Sequence, residues 1–290
     1  MKIIFSQKCL EYWQSNHPES PDRVKRTFEL LKEKNFEFLE PEPCSEKDLL
    51  LVHEKSYVET IKNGEFYDSD TPNLPGIFDY ARLSVGSAIK AMKIALEGEK
   101  AFSLMRPPGH HAGRNGKALY APSLGFCYFN NVAIATRMAL NSVKKVAIID
   151  IDCHHGNGTQ DIFLGDKRVL YISLHLDDFY PGTGKKSEKN CINFPLPIGV
   201  DEKTYFENFI LTLIEVKKFN PDLIAVSAGF DGHKNDPLTM GGLGLDENSF
   251  RKIGEVIAGL KKTSFAVLEG GYGKEFPESV HQFLIGYSKE

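Results

Sequence analysis

Short apolar runs, each closed by polar or glycine-rich residues, recur along the chain and read as buried strands. The plainest is Lys145-Val146-Ala147-Ile148-Ile149, β-branched and without polar alternation, as a parallel strand covered on both faces requires. Met1 to Phe5, Ala101 to Met105, Val169 to Leu174, Asp222 to Ala228 and Ser264 to Leu268 repeat the pattern. Helical spacing fills the intervals. Ser20 as N-cap with Pro21 at the first helical position starts a helix whose Val24, Phe28 and Leu31 share one face. Ser45-Glu46-Lys47-Asp48 reads as an acidic helix start, and further helices are expected from Lys55 to Lys62 and from Ile77 to Leu96. Others follow toward Leu140, from Lys203 to Lys218 and from Glu247 to Leu260. Strands alternating with helices predict one α/β domain over residues 1–290, built on a mostly parallel sheet.

Composition narrows the class without naming a chemistry. At 290 residues and 41% hydrophobic, the chain can bury a full core. A net charge of -4 gives no bulk reason to bind nucleic acid or a membrane surface. Five scattered cysteines, with no Cys-x-x-Cys spacing, favour reduced thiols and a cytoplasmic location over a disulfide framework. No apolar run reaches the roughly 18 residues that a membrane span needs. Asn63 to Gly76 is a long polar loop punctuated by Gly and Pro, a type that is often functional.

The chemistry sits at strand ends. Asp150-Ile151-Asp152-Cys153-His154-His155-Gly156 follows the Lys145–Ile149 strand. Residues two apart in extended chain face the same way, so Asp150, Asp152 and His154 start on one side at the edge where α/β sheets bind ligands. Two carboxylates and an imidazole within five residues suit a divalent metal of the zinc type, although a polar loop after a core strand looks much the same. The Ala101–Met105 strand delivers Arg106-Pro107-Pro108-Gly109-His110-His111, whose imidazoles are candidates for acid–base work beside a metal. Asp231 stands after the Asp222–Ala228 strand, and Glu269-Gly270-Gly271-Tyr272 closes the last one.

These motifs, in this order, resemble the zinc-dependent histone deacetylase and acetylpolyamine amidohydrolase superfamily, from His17-Pro18-Glu19 to Tyr272. The resemblance implies the arginase/deacetylase fold, with an eight-stranded, mostly parallel sheet flanked by helices. It implies that Asp152, His154 and Asp231 ligate one Zn2+, with Fe2+ or Co2+ able to take the same donors. It casts His110 as a histidine oriented by Asp150, His111 as the general base and acid, and Tyr272 as the oxyanion donor. Asn157 stands where many relatives place an Asp partner for that base, so His111 should be less basic here. Asp150, Ser173 and Leu174 match a structural K+ site. Phe126 and Tyr180, with Gly125 and Gly270, match the acyl-lysine tunnel. Asp70 matches a rim residue that grips substrate amides, Leu238 a gatekeeper position that is acidic in polyamine-specific relatives, and Arg23 an inner exit for acetate.

The expected activity is therefore removal of an acetyl or longer acyl group from an amine by metal-activated water. Acetyl-lysine of peptides or proteins is the first substrate reading, and acetylpolyamine or another small acetylated amine the alternative. The loop from Gly64 to Pro75 is shorter than the insertion that dimeric polyamine-type relatives carry in that region, so the resemblance implies a monomer. An arginase-type ureohydrolase with two manganese ions would need further Asp and His ligands. A non-catalytic acyl-lysine binder would not need the full set of ligands, base and tyrosine.

Overall fold

The computed structural model describes residues 1–289. Its strands are β1 (Lys2–Ile4), β2 (Glu37–Leu39), β3 (Ala101–Ser103), β4 (Val146–Asp150), β5 (Val169–Leu176), β6 (Cys191–Leu196), β7 (Leu223–Ala228) and β8 (Thr263–Leu268). Its helices are α1 (Pro21–Glu33), α2 (Glu46–Leu49), α3 (Lys55–Asn63), α4 (Ile77–Leu96), α5 (Asn131–Ala139), α6 (Asn157–Phe163), α7 (Glu202–Phe219), α8 (Glu247–Ala258) and α9 (Phe276–Tyr287). The eight strands form one sheet in the order β2-β1-β3-β8-β7-β4-β5-β6, and every pairing is parallel.

Alternation along the central strands builds a core on each face of the sheet. Ala147, Ile149, Ile224, Val226 and Ala266 pack with Val24, Phe209, Ile253 and Phe283 from α1, α7, α8 and α9. Their neighbours Val146, Ile148, Leu223, Ala225 and Phe265 pack with Val58, Val85, Val132 and Ile162 from α3, α4, α5 and α6. This double burial is why these strands carry no polar alternation.

Six strands stand where the apolar runs predict them; the other two, β2 and β6, are the edges of the sheet. The edge explains their silence in the sequence. Glu37-Phe38-Leu39 is short and half-exposed, and Cys191-Ile192-Asn193-Phe194-Pro195-Leu196 carries a proline, which edge strands tolerate. Helix α9 also lacks an expectation, though Pro277 near its start and the Phe276, Val280, Phe283, Leu284, Tyr287 spacing mark it. Ser20 does precede α1, but its side chain makes no capping bond; Ser45 and Asp48 form a full capping box on α2.

The strand order positions the site. The chain crosses from β3 to β4, runs outward through β5 and β6, then returns to place β7 and β8 in the gap. In register, Asp150 at the end of β4 lies between Ser173 of β5 and Ser227 of β7. The loops after β3, β4, β5, β7 and β8 thus converge over one edge, at the reversal of strand order where α/β sheets bind ligands. No helix among the described residues is long and apolar enough to cross a membrane, and all five cysteines are free and buried.

Candidate active site

Asp152, His154 and Asp231 come together from the loops after β4 and β7. The His154 Nδ1 lies 3.0 Å from Asp152 Oδ1 and 2.9 Å from Asp231 Oδ2. The outer oxygens are held by backbone: Gly270 N donates to Asp152 Oδ2 at 2.8 Å, and Cys153 N to Asp231 Oδ1 at 2.9 Å. Gly270 is required by space, since a Cβ there would stand 2.2 Å from Asp231 Oδ2 and 2.6 Å from Asp152 Oδ2. The ligand atoms of these three residues, with the Cys153 sulfur, lie within 4.8 Å of one another. Alternation in an extended chain would point Cys153 away from Asp152 and His154, but the chain bends here and brings its sulfur to 3.7 Å from His154 Nδ1.

The charge of this cluster suits a divalent cation. Asp150, Asp152, Asp231 and Glu269 are all fully buried. Among the described residues, the only basic side chains that pair with their carboxylates are the imidazoles of His110 and His154. Burial, reinforced by the charge of Asp152, raises the Asp231 carboxyl, whereas His110 and His154 overcome burial at Asp152 and hold it ionised. Burial opposes charge on His110 too, but Asp152 and Asp150 outweigh it and push that imidazole up to about 10. Two carboxylates and one imidazole with converging donor atoms are a donor set that zinc accepts.

The tandem histidines are fixed from behind. His110 Nδ1 lies 3.1 Å from Asp150 Oδ2, which also accepts the Tyr171 hydroxyl at 3.0 Å. His111 Nδ1 lies 2.7 Å from Asn157 Oδ1, and the Asn157 amide nitrogen donates to Ala118 O at 2.9 Å. That second bond orients the amide, so His111 must donate from Nδ1, leaving Nε2 as the unprotonated ring nitrogen. Burial, then the neighbouring His110 and His154, press the His111 imidazole well below its ordinary range. It is neutral and able to accept a proton.

A cavity of about 160 Å³ opens above these groups. Phe126, Phe179, Tyr180, Leu238 and Asp70 line it together with His110, His111, Gly125, Gly270 and Tyr272. Gly125 (φ +54°) presses on the base: a Cβ there would meet His111 Cδ2 at 2.4 Å and the Tyr180 hydroxyl at 2.7 Å. Phe126 also holds a positive φ of 69°, sustained by Thr71 Oγ1, which accepts its N–H at 2.9 Å. Asp70 accepts from Gly125 N at 3.1 Å and from the Ser123 hydroxyl, so here it holds the turn that carries Phe126. Phe179, which the sequence reading passes over, stacks on the His154 ring at 5.6 Å between centroids.

Arg23, Ser173, Leu174 and Glu269 make the following contacts. Arg23 is committed to main chain, donating to Gly271 O at 2.6 Å and Glu269 O at 2.7 Å, and to Glu19 Oε1 at 3.1 Å. Its guanidinium lies 4.4 Å from the Tyr272 ring centroid, so it braces the loop of that tyrosine. Ser173 is beside Asp150, with its Oγ 2.9 Å from His175 Nδ1. The side chain of Leu174 belongs to the core, leaving only its main chain for a cation. Glu269 reads in the sequence as part of a glycine turn. It is instead a buried clamp, accepting Gly109 N at 2.8 Å, His110 N at 3.1 Å and the Ser227 hydroxyl at 2.9 Å. A charged residue at the close of an apolar strand is the signal that marks it.

Known proteins resemble this chain over nearly its whole length. The family model for the histone deacetylase domain matches residues 17–285. A probable deacetylase of Archaeoglobus fulgidus is 41% identical, over 94% of this chain and 81% of that protein. A histone deacetylase-like amidohydrolase of Pseudomonas aeruginosa is 34% identical, over 90% of this chain and 74% of that protein. Among solved structures, the HDA15 HD domain has a TM-score of 0.88 at 30% identity, covering 98% of this chain and 90% of that one. Acetylpolyamine aminohydrolase from Burkholderia pseudomallei has a TM-score of 0.87 at 26% identity, covering 99% and 98%. By sequence over nearly its whole length, and by an all-parallel sheet with its site at the reversal of strand order, the chain belongs to the histone deacetylase domain family.

Proposed function

We propose that this protein is a zinc-dependent deacetylase that removes acetyl from acetyl-lysine of peptides or proteins. One observation carries the reading: Asp152, His154 and Asp231 share a cavity with a neutral, Asn157-oriented His111 and with Tyr272. A zinc ion held by the three ligands would supply Lewis acidity toward a carbonyl oxygen and acidify water. His111 Nε2 takes the proton of the attacking water and returns it to the departing amine. Burial raises the Tyr272 phenol well above its ordinary range, so it stays protonated and donates a hydrogen bond to the developing oxyanion. His110, paired with Asp150, adds positive charge beside the reacting carbonyl. Phe126 and Tyr180 flank the lysine stem and keep water from it. Asp150, Ser173 and Leu174 are proposed to hold K+, offsetting the carboxylates.

The residues at the mouth support the peptide reading. Leu238 offers no negative charge to the distal ammonium of a polyamine, whereas an apolar wall suits a lysine stem. With the Gly64–Pro75 loop lacking the longer insertion of dimeric polyamine-type relatives, we expect a monomer that deacetylates acetyl-lysine peptides at least as well as acetylputrescine or acetylspermidine. The test is kcat/KM of the purified protein on both classes. An advantage of acetylpolyamines above ~100-fold, about 2.7 kcal/mol in transition-state binding, would refute the peptide reading.

A further inference from the structure

Tyr272 follows two glycines, and Gly271 has φ +120°, a conformation with no side chain to hold it. A catalytic hydroxyl on such a turn must be fixed by contacts from elsewhere in the fold. Arg23 holds the carbonyls of Glu269 and Gly271. The peptide N–H of Tyr272 is held by a different residue, Asp236, whose Oδ2 accepts it at 2.7 Å. The other oxygen of that carboxylate, Oδ1, accepts the N–H of Leu238 at 2.9 Å. Asp236 is 5% exposed, and no basic side chain pairs with it among the described residues. A buried carboxylate with no ion-pair partner is stable only if its donors are firmly placed, and charge-assisted bonds of this kind are strong.

The loop around it needs such an anchor. Met240, Gly241, Gly242 and Gly244 all have positive φ, and Met240 is exposed. The neighbouring Thr239 hydroxyl donates to the carbonyl of the metal-ligand candidate Asp231 at 2.9 Å. The two oxygens of Asp236 thus tie one wall of the cavity, Leu238 on the loop after β7, to the tyrosine on the loop after β8.

We propose that Asp236 is a positioning residue that sets Tyr272 for oxyanion donation and fixes the Leu238 wall relative to it. The inference rests on the deacetylase reading of Tyr272. Asp236→Asn keeps the shape but replaces one acceptor with an NH2 group that confronts a backbone N–H. The experiment is a double-mutant cycle of Asp236→Asn with Tyr272→Phe, on an acetyl-lysine peptide, with metal content measured for each protein. Asp236→Asn should lower kcat by roughly 10- to 100-fold, with KM within about threefold and metal retained. In the Tyr272→Phe background the same substitution should cost less than about threefold, because its target is already gone. Losses that multiply would overturn the proposal while leaving the role of Tyr272 intact. If wild-type protein turns over no acylated amine, or if Asp236→Asn does not fold, amide exchange on the wild-type protein decides the placement. The N–H groups of Leu238 and Tyr272 should exchange at least about 100-fold more slowly than that of Met240. Equal exchange would overturn the tether independently of any activity.

Discussion

Two clusters of buried charge meet beneath the cavity, and they are built on opposite terms. In the first, Glu19 is gripped by both Nε and Nη2 of Arg106, each at 2.7 Å, and by Arg23 at 3.1 Å. Arg106 is 0% exposed; its Nη1 donates to the carbonyls of Cys9 and Tyr12, and its Nη2 also to the carbonyl of Glu19. Burial works against the Glu19 carboxylate, but Arg106 and Arg23 hold it below the usual range. In the second, the carboxylates of Asp150, Asp152, Asp231 and Glu269 pair with imidazoles, hydroxyls and peptide N–H groups but with no guanidinium or ammonium among the described residues. Burial pushes Glu269 up to about 7 and raises Asp150. The clusters touch, since Arg23 Nη2 donates to the carbonyl of Glu269. A permanent ion pair carries its own cations. A site for an external cation leaves its carboxylates short of positive charge.

The sharpest way to break this contrast is to take a cation from the first cluster. Arg106→Met should cost about 3–5 kcal/mol in denaturant unfolding, because it strands Glu19 in the core. Within the second cluster, Tyr272→Phe acts on the reaction alone. Turnover should fall by ~10²–10³ with metal content unchanged; near-native turnover would show that the hydroxyl does not meet the carbonyl.

Glu269 gives the pH dependence. Its folded pKa is raised above the unfolded value, so the folded state binds the extra proton. Metal-free protein should therefore lose stability as pH rises from the ordinary glutamate range to about 7, and Glu269→Gln should flatten that slope. An unchanged slope in thermal melts across this window would remove Glu269 from the charged cluster.

A smaller effect is expected at the base. Asn157→Asp puts a carboxylate on His111 Nδ1, which favours the imidazolium, so the acid limb of kcat/KM should move up by about one pH unit. No movement would mean that another group sets that limb. The smallest effect is the most diagnostic of the contrast. Asp231→Asn relieves repulsion with Asp152, so the metal-free variant should melt at or above metal-free wild type. A drop like that of Arg106→Met would erase the distinction between the clusters.

The legible part of this molecule is the part whose physics is local. Central strands show as apolar runs because both faces are covered, and Asp152, His154, Asp231, His110 and His111 stand out because each follows such a run within a few residues. Edge strands β2 and β6 are half-covered and look like loops. Glu19, Arg106, Tyr171, Glu269 and Asp236 escape for another reason. Their partners lie far along the chain: 87 residues separate Arg106 from Glu19, and 36 separate Tyr272 from Asp236. No spacing rule reaches that far. The aromatics divide the same way, for Phe126 and Tyr180 are found by resemblance while Phe179 needs the His154 ring beside it.

The central claim is that the under-neutralised cluster holds one metal ion that the reaction requires. The direct measurement is chelation followed by stepwise zinc addition, with elemental analysis, circular dichroism and deacetylation of an acetyl-lysine peptide read on the same samples. Turnover should vanish without unfolding, return in proportion to added zinc and saturate at about one ion per chain; Asp231→Ala should neither retain zinc nor recover. Full activity in verified metal-free protein, or saturation at two ions per chain, would contradict the account.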